Sequence, residues 1–107
     1  MEAIADLERA LAYRRQLPDT PPSEVVDVLS QLGTNLGRIG DGERARAVLT
    51  EALAIAETYL GEGDLELGLV QHNLGFALLI TGDFGPARAQ FERSLPAIER
   101  APARSPR

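Results

Sequence analysis

Apolar residues recur at three- and four-residue steps along five stretches of the chain, with charged residues between them. That spacing predicts amphipathic helices. In residues 2 to 17, Ile4, Leu7 and Leu11 share a face with Ala3 and Ala10, and the helix is expected to end at Leu17, since Pro18 disfavours the α conformation before it. Pro18 to Pro22 reads as a linker, Ser23 as the N-cap of the next helix, and Glu24 as an acid suited to its dipole. The second helix is expected over 24–39, with Val25, Val28, Leu29, Leu32 and Leu36 as its stripe. Gly33 and Gly37 inside it each cost about 1 kcal/mol against Ala, which points to close approach of a neighbouring helix. Gly40-Asp41 is a turn, with Gly40 closing one helix and Asp41 opening the next. The third helix is expected over 42–60, turning Ala45, Val48, Leu49, Ala52, Leu53 and Ala56 inward. Gly61-Glu62-Gly63-Asp64 breaks it, and Asp64 caps a fourth helix reaching Ile80. After Thr81-Gly82-Asp83 a fifth helix starts near Phe84, where Pro86 is tolerated because first-turn N–H groups lack helical partners. Pro96 costs about 3 kcal/mol in a helix interior, so a kink or an end is expected there, with fraying beyond Arg100 and a disordered tail over 101–107.

The Gly40-Asp41 and Gly82-Asp83 turns belong to a longer self-similarity. A shift of 42 positions lays Leu32 on Leu74, Gly33 on Gly75, Leu36 on Leu78, Gly40 on Gly82 and Asp41 on Asp83. Ala45 then falls on Ala87, Arg46 on Arg88, Ala47 on Ala89 and Leu53 on Leu95. Residues 2 to 17 match the second helix of such a unit, with Ala3 on Ala45, Leu7 on Leu49, Ala10 on Ala52 and Leu11 on Leu53. A period of this size means a repeat architecture.

Composition narrows the picture further. At 107 residues the chain is at most one domain, and its Ala, Leu, Glu and Arg content is helical. A net charge of -5, with no lysine, disfavours nucleic acid, which needs clustered cations. The absence of cysteine excludes disulfides and thiolate metal sites and fits a reducing compartment. The longest apolar run, Phe76 to Ile80, is too short to span a bilayer, and acids at Glu2, Asp6 and Glu8 do not suit a signal peptide. A cytoplasmic protein with no membrane contact is the expectation.

Each unit therefore reads helix A, a Gly-Asp turn, helix B. The residues Leu32, Gly33, Leu36, Ala45, Leu49 and Ala52 in the first unit, and Leu74, Gly75, Leu78, Ala87, Phe91 and Ser94 in the second, resemble the tetratricopeptide repeat (TPR) pattern. The small residues let A and B approach and the large ones fill the space between them. The period of 42 rather than the usual ~34, the Leu60-Gly61-x-Gly63-Asp64 connector and the run Gln71-His72-Asn73-Leu74-Gly75 are similar to the kinesin-light-chain-type subclass. The pattern departs from the family at Val26 and Gly68, where an aromatic is common, and at Pro96. The resemblance implies an all-α solenoid, a right-handed stack of antiparallel helix pairs. Residues 1–100 would form one domain, with 2–17 an orphan helix B, 24–60 the first repeat and 64–100 the second. About three repeats are needed for a stable array, so either a longer array or self-association through the open ends is expected to cover them.

The resemblance also implies where a ligand sits, since the A helices of such arrays line a concave groove for peptides or helices. The groove-facing positions carry over to Asp27, Ser30, Gln31, Thr34 and Arg38 in the first unit and Leu69, His72, Asn73, Phe76 and Leu79 in the second. Gln31 and Asn73 share one repeat position, where an amide can bond a ligand backbone or its own neighbours. Phe76, Leu79 and Ile80 beside Leu78 exceed one buried stripe, so some of them are expected to face a partner. Arg38, Arg44 and Arg46 could meet an acidic ligand or form a solvated face. His72 has no second His or Cys for a metal site, and Glu62, Asp64 and Glu66 lack calcium-loop spacing. No nucleophile, base and orienting group converge, and Gly61-x-Gly63 follows no strand, so neither catalysis nor a cofactor is expected. The expected function is a non-enzymatic protein–protein interaction module. The rival readings are a homo-oligomerisation unit and the sensory part of a larger bacterial regulator.

Overall fold

The computed structural model describes residues 2–100; Met1 and residues 101–107, with the expected disordered tail, lie outside the described residues. Five helices follow one another: α1 (Glu2–Gln16), α2 (Pro22–Arg38), α3 (Gly42–Ala56), α4 (Leu65–Ile80) and α5 (Phe84–Arg100). Each packs against the next, and α2 also touches α4, so the chain forms an all-α stack of helix pairs. One apolar core runs through all of it, from Ile4 on α1 through Leu29, Leu36, Leu49 and Leu67 to Ala87 on α5. Each fully buried leucine contributes about 1.5–3 kcal/mol. No described helix is long and apolar enough to cross a membrane.

The helix ends follow their capping chemistry, with three corrections to the sequence expectations. Helix α2 opens at Pro22 with Pro21 in the cap position, not at Ser23. Pro21 is extended (φ -61°, ψ 142°), and Pro22 brings a fixed φ and no N–H at a place where that N–H would have no partner. Helix α3 stops at Ala56 rather than Leu60. There Thr58 turns its hydroxyl onto the Ile55 carbonyl at 2.6 Å, and Thr58 and Tyr59 N–H groups bond back three residues, tightening the last turn out of the α ladder. Helix α5 does not end at Pro96 but continues to Arg100. The carbonyl that loses its partner is that of Glu92, which is exposed like Pro96, so water can serve it. Buried Ala97, beside Gly68, and an Arg100 bond to the Gly63 carbonyl at 3.3 Å hold the turns beyond.

The two Gly-Asp turns are the same structure written twice. Gly40 and Gly82 take φ of +84° and +85°, a left-handed conformation that only glycine adopts without strain. Asp41 N–H then donates to the Leu36 carbonyl at 2.9 Å, and Asp83 N–H to Leu78 at 2.8 Å. Within each pair, a glycine of the first helix receives a large side chain of the second. A β-carbon at Gly33 would lie 2.4 Å from Leu49 Cγ, and one at Gly75 would lie 2.7 Å from Phe91 Cε1. Gln71, fully buried, ties α4 to α5, its amide donating to the Arg93 carbonyl at 3.3 Å and accepting from the Arg93 guanidinium at 3.2 Å.

Candidate functional site

Between α2 and α4 the glycines leave more room than their neighbours fill. Gly33, Gly37, Leu49 and Ala77 form the floor of a cleft of about 400 Å³, with Thr34, Arg38, His72, Asn73, Phe76 and Ile80 around it. A second hollow of about 390 Å³ adjoins it, lined by Ser30, Gln31, Thr34, Asn35, Arg38 and Asn73. Ile80 closes the far end by reaching across to α2 and α3. Its Cδ1 lies 3.7 Å from a β-carbon built at Gly37, and its Cγ2 lies 2.6 Å from one built at Gly42. The floor is apolar and the rim carries the hydrogen-bonding groups, the division expected of a ligand cleft.

One wall is an aromatic cluster. His72, Phe76 and Phe91 meet edge to face, with centroids 5.2 Å apart for His72–Phe76, 5.3 Å for His72–Phe91 and 5.7 Å for Phe76–Phe91. Such contacts hold Phe76 in place although it is 53% exposed. The opposite rim carries charge. Arg38 Nη1 reaches only Asn35 Oδ1, at 3.5 Å, and makes no ion pair among the described residues. Arg44, by contrast, pairs with Glu8 and Asp41, and Arg46 with Glu43 at 2.8 Å. Of the three arginines singled out from the sequence, Arg38 alone stands at the cleft with its guanidinium available.

Seven of the ten residues expected at a ligand site line these two hollows: Ser30, Gln31, Thr34, Arg38, His72, Asn73 and Phe76. Gln31 and Asn73, equivalent in the repeat, share the second hollow, and neither side chain makes a hydrogen bond among the described residues. Asp27, Leu69 and Leu79 line neither hollow. Asp27 lies instead beside the start of α4, where Glu66 is held above the usual carboxylate range by burial and then by the charges of Asp27 and Asp64. Burial and the same acids, with Glu66 foremost, raise Tyr59. Leu69 and Leu79 are exposed. Asn35, Leu49 and Ala77 line the hollows without having been expected there, whereas Ile80 was expected among the apolar residues of which some face a partner. The glycine pair Gly33 and Gly37 was the available signal, because two missing side chains one turn apart open a hollow as readily as they admit a helix.

A family model described as tetratricopeptide repeat matches residues 24–100. No curated protein matches the chain.

Proposed function

We propose, for a chain that belongs to the tetratricopeptide repeat family, that the cleft between α2 and α4 receives an extended peptide segment of a partner protein. Tetratricopeptide repeats mediate protein–protein interaction and are typically non-enzymatic. The observation that carries the finer reading is the pairing of two uncommitted amides, Gln31 and Asn73, across one hollow beside an apolar floor. A primary amide offers both a donor and an acceptor, the complement of one peptide unit. Regularly spaced amides suit an extended backbone, while the floor at Gly37 and Ala77 suits an apolar side chain. The available guanidinium of Arg38 favours an acidic residue next to that side chain.

Selection of a displayed random dodecapeptide library against the full chain tests this. Enriched peptides are expected to combine an aliphatic or aromatic residue with an acid, and to lose binding when Gly37→Leu fills the floor. A β-carbon at Gly37 meets nothing closer than 3.7 Å, and circular dichroism checks that the larger side chain leaves the helices in place. Peptides that bind wild type and Gly37→Leu equally would place recognition elsewhere.

A further inference from the structure

The two glycines beneath the cleft are closed in different ways. At Gly33 the space of the missing side chain is taken by Leu49, whose branch carbon lies 2.4 Å, and whose methyls lie 2.7 and 2.8 Å, from a β-carbon built there. At Gly37 the only atom from another helix within 4 Å of such a β-carbon is Cδ1 of Ile80, at 3.7 Å, among the described residues. The open depth of the cleft therefore lies over Gly37 and buried Ala77, and one methyl group ends it.

Ile80 is built to be a fixed end wall. Its Cγ2 occupies the place that a side chain at buried Gly42 would take, 2.6 Å from a β-carbon built there, with Cβ at 3.0 Å. A β-branched side chain in a helix has one strongly preferred χ1. Seating one branch at Gly42 therefore also aims the other, the Cγ1–Cδ1 arm, at Gly37. An unbranched methionine would carry no such anchor and would adapt to what it met. The equivalent of Ile80 in the first repeat, 42 positions back, is Arg38, which lines the same cleft from α2. One repeat position thus supplies a length limit from α4 and a charge from α2.

We propose that Ile80 is the specificity-determining residue of the cleft: its Cδ1 sets the length of the aliphatic group that can lie over Gly37, with an acid beside it at Arg38. Carbons up to that length are taken out of water, and each one beyond it must stay outside the cleft. That the natural occupant is a peptide side chain rests on the function proposed for this cleft; the length limit belongs to the cleft itself.

The probes are the n-alkanoates from butanoate to octanoate, titrated against the full chain and followed by NMR at an isotope-labelled Ala77 methyl. Affinity is expected to rise about fourfold with each methylene that the cleft buries, then to level off at one chain length. Ile80→Val, which removes Cδ1 and keeps Cγ2 at Gly42, is expected to move that break one methylene longer. Gly37→Ala narrows the same space from the other side and moves it one methylene shorter, and the two together return it to the wild-type length. Leu79→Ala, at an exposed neighbour that lines neither hollow, leaves the break in place. Circular dichroism checks that each variant stays helical. A break unmoved by Ile80→Val, an affinity that rises through octanoate without one, or an Ala77 methyl that responds to no alkanoate overturns the proposal. The apolar residue of a library-selected peptide is then varied in the same way, as norvaline, norleucine and homonorleucine. A break among the alkanoates with no peptide selected would sink the peptide reading alone. Selected peptides whose preferred length ignores both variants would sink the role of Ile80 alone.

Discussion

The first repeat (α2 and α3) and the second (α4 and α5) share a backbone and differ in what they bury. Their turns agree to within a degree at Gly40 and Gly82 and to 0.1 Å in the capping bond that follows. Their inner contacts agree in kind, a large side chain of helix B seated on a glycine of helix A. At the outer positions they part. Leu53 is buried and Leu95 half-exposed, and Gly42 lies beneath Ile80 while Phe84 stands in solvent. The inner contact is also softer in the second repeat, where Phe91 is only partly buried, against 1% exposure for Leu49. Identical local patterns thus produce one repeat that is enclosed and one that is available. The difference lies in what packs against the outer face and in the residues there, Gly42 and Ala56 in the first repeat against Phe84 and Ile98 in the second.

The comparison can be broken or sharpened by matched substitutions. The largest contrast is expected at the outer leucines: Leu53→Ala should cost about 3 kcal/mol in urea unfolding, while Leu95→Ala costs less than about 1 kcal/mol. Equal losses would mean that the face of α5 is covered in solution. Next come the inner glycines. Gly33→Ala should cost about 2–3 kcal/mol, because its methyl meets the branch carbon of a buried leucine. Gly75→Ala should cost about 1 kcal/mol, because the Phe91 ring can swing outward, and a melting temperature unchanged by either would contradict the helix register. Gly37→Ala should go the other way, raising stability by about 0.5–1 kcal/mol, since the site has room and alanine is the better helix former.

The smallest effect concerns the acids where the two repeats meet. Glu66 holds its proton more tightly when folded, so its ionisation at neutral pH opposes folding, and this cost disappears as pH falls through the carboxylate range. Asp27→Asn should bring the Glu66 pKa down toward its ordinary value, followed by its side-chain carboxyl carbon in an NMR titration. The stability gained at pH 7 should stay below about 0.5 kcal/mol because both groups are largely solvated, and it should vanish in acid. A Glu66 pKa indifferent to the substitution would remove Asp27 as a cause.

Much of this molecule could be read before folding because it depends on local spacing. The 3.6-residue period set the helix faces. The Gly-Asp pairs set two turns, since only glycine accepts the left-handed backbone there, and the 42-residue recurrence set the stacking order. Seven of the ten expected ligand residues line the two hollows because the groove positions that the family resemblance implies share one face of α2 and of α4. The failures are equally physical. Pro96 was expected to kink or end α5, and the helix does not end there, because Pro96 falls on an exposed face where a lost hydrogen bond is exchanged with water and buried Ala97 holds the turn after it. Asp27 belongs with Glu66 rather than with the cleft because the register between α2 and α4, which no single-helix pattern contains, brings those carboxylates together. The same holds for Ile80, whose side chain crosses to Gly37 and Gly42 on two other helices. Periodicity therefore determined which face of each helix is apolar. The packing of one helix on the next decided which part of that face is enclosed, which part opens as a cleft and which part stays exposed, because burial is a relation between elements distant in the chain.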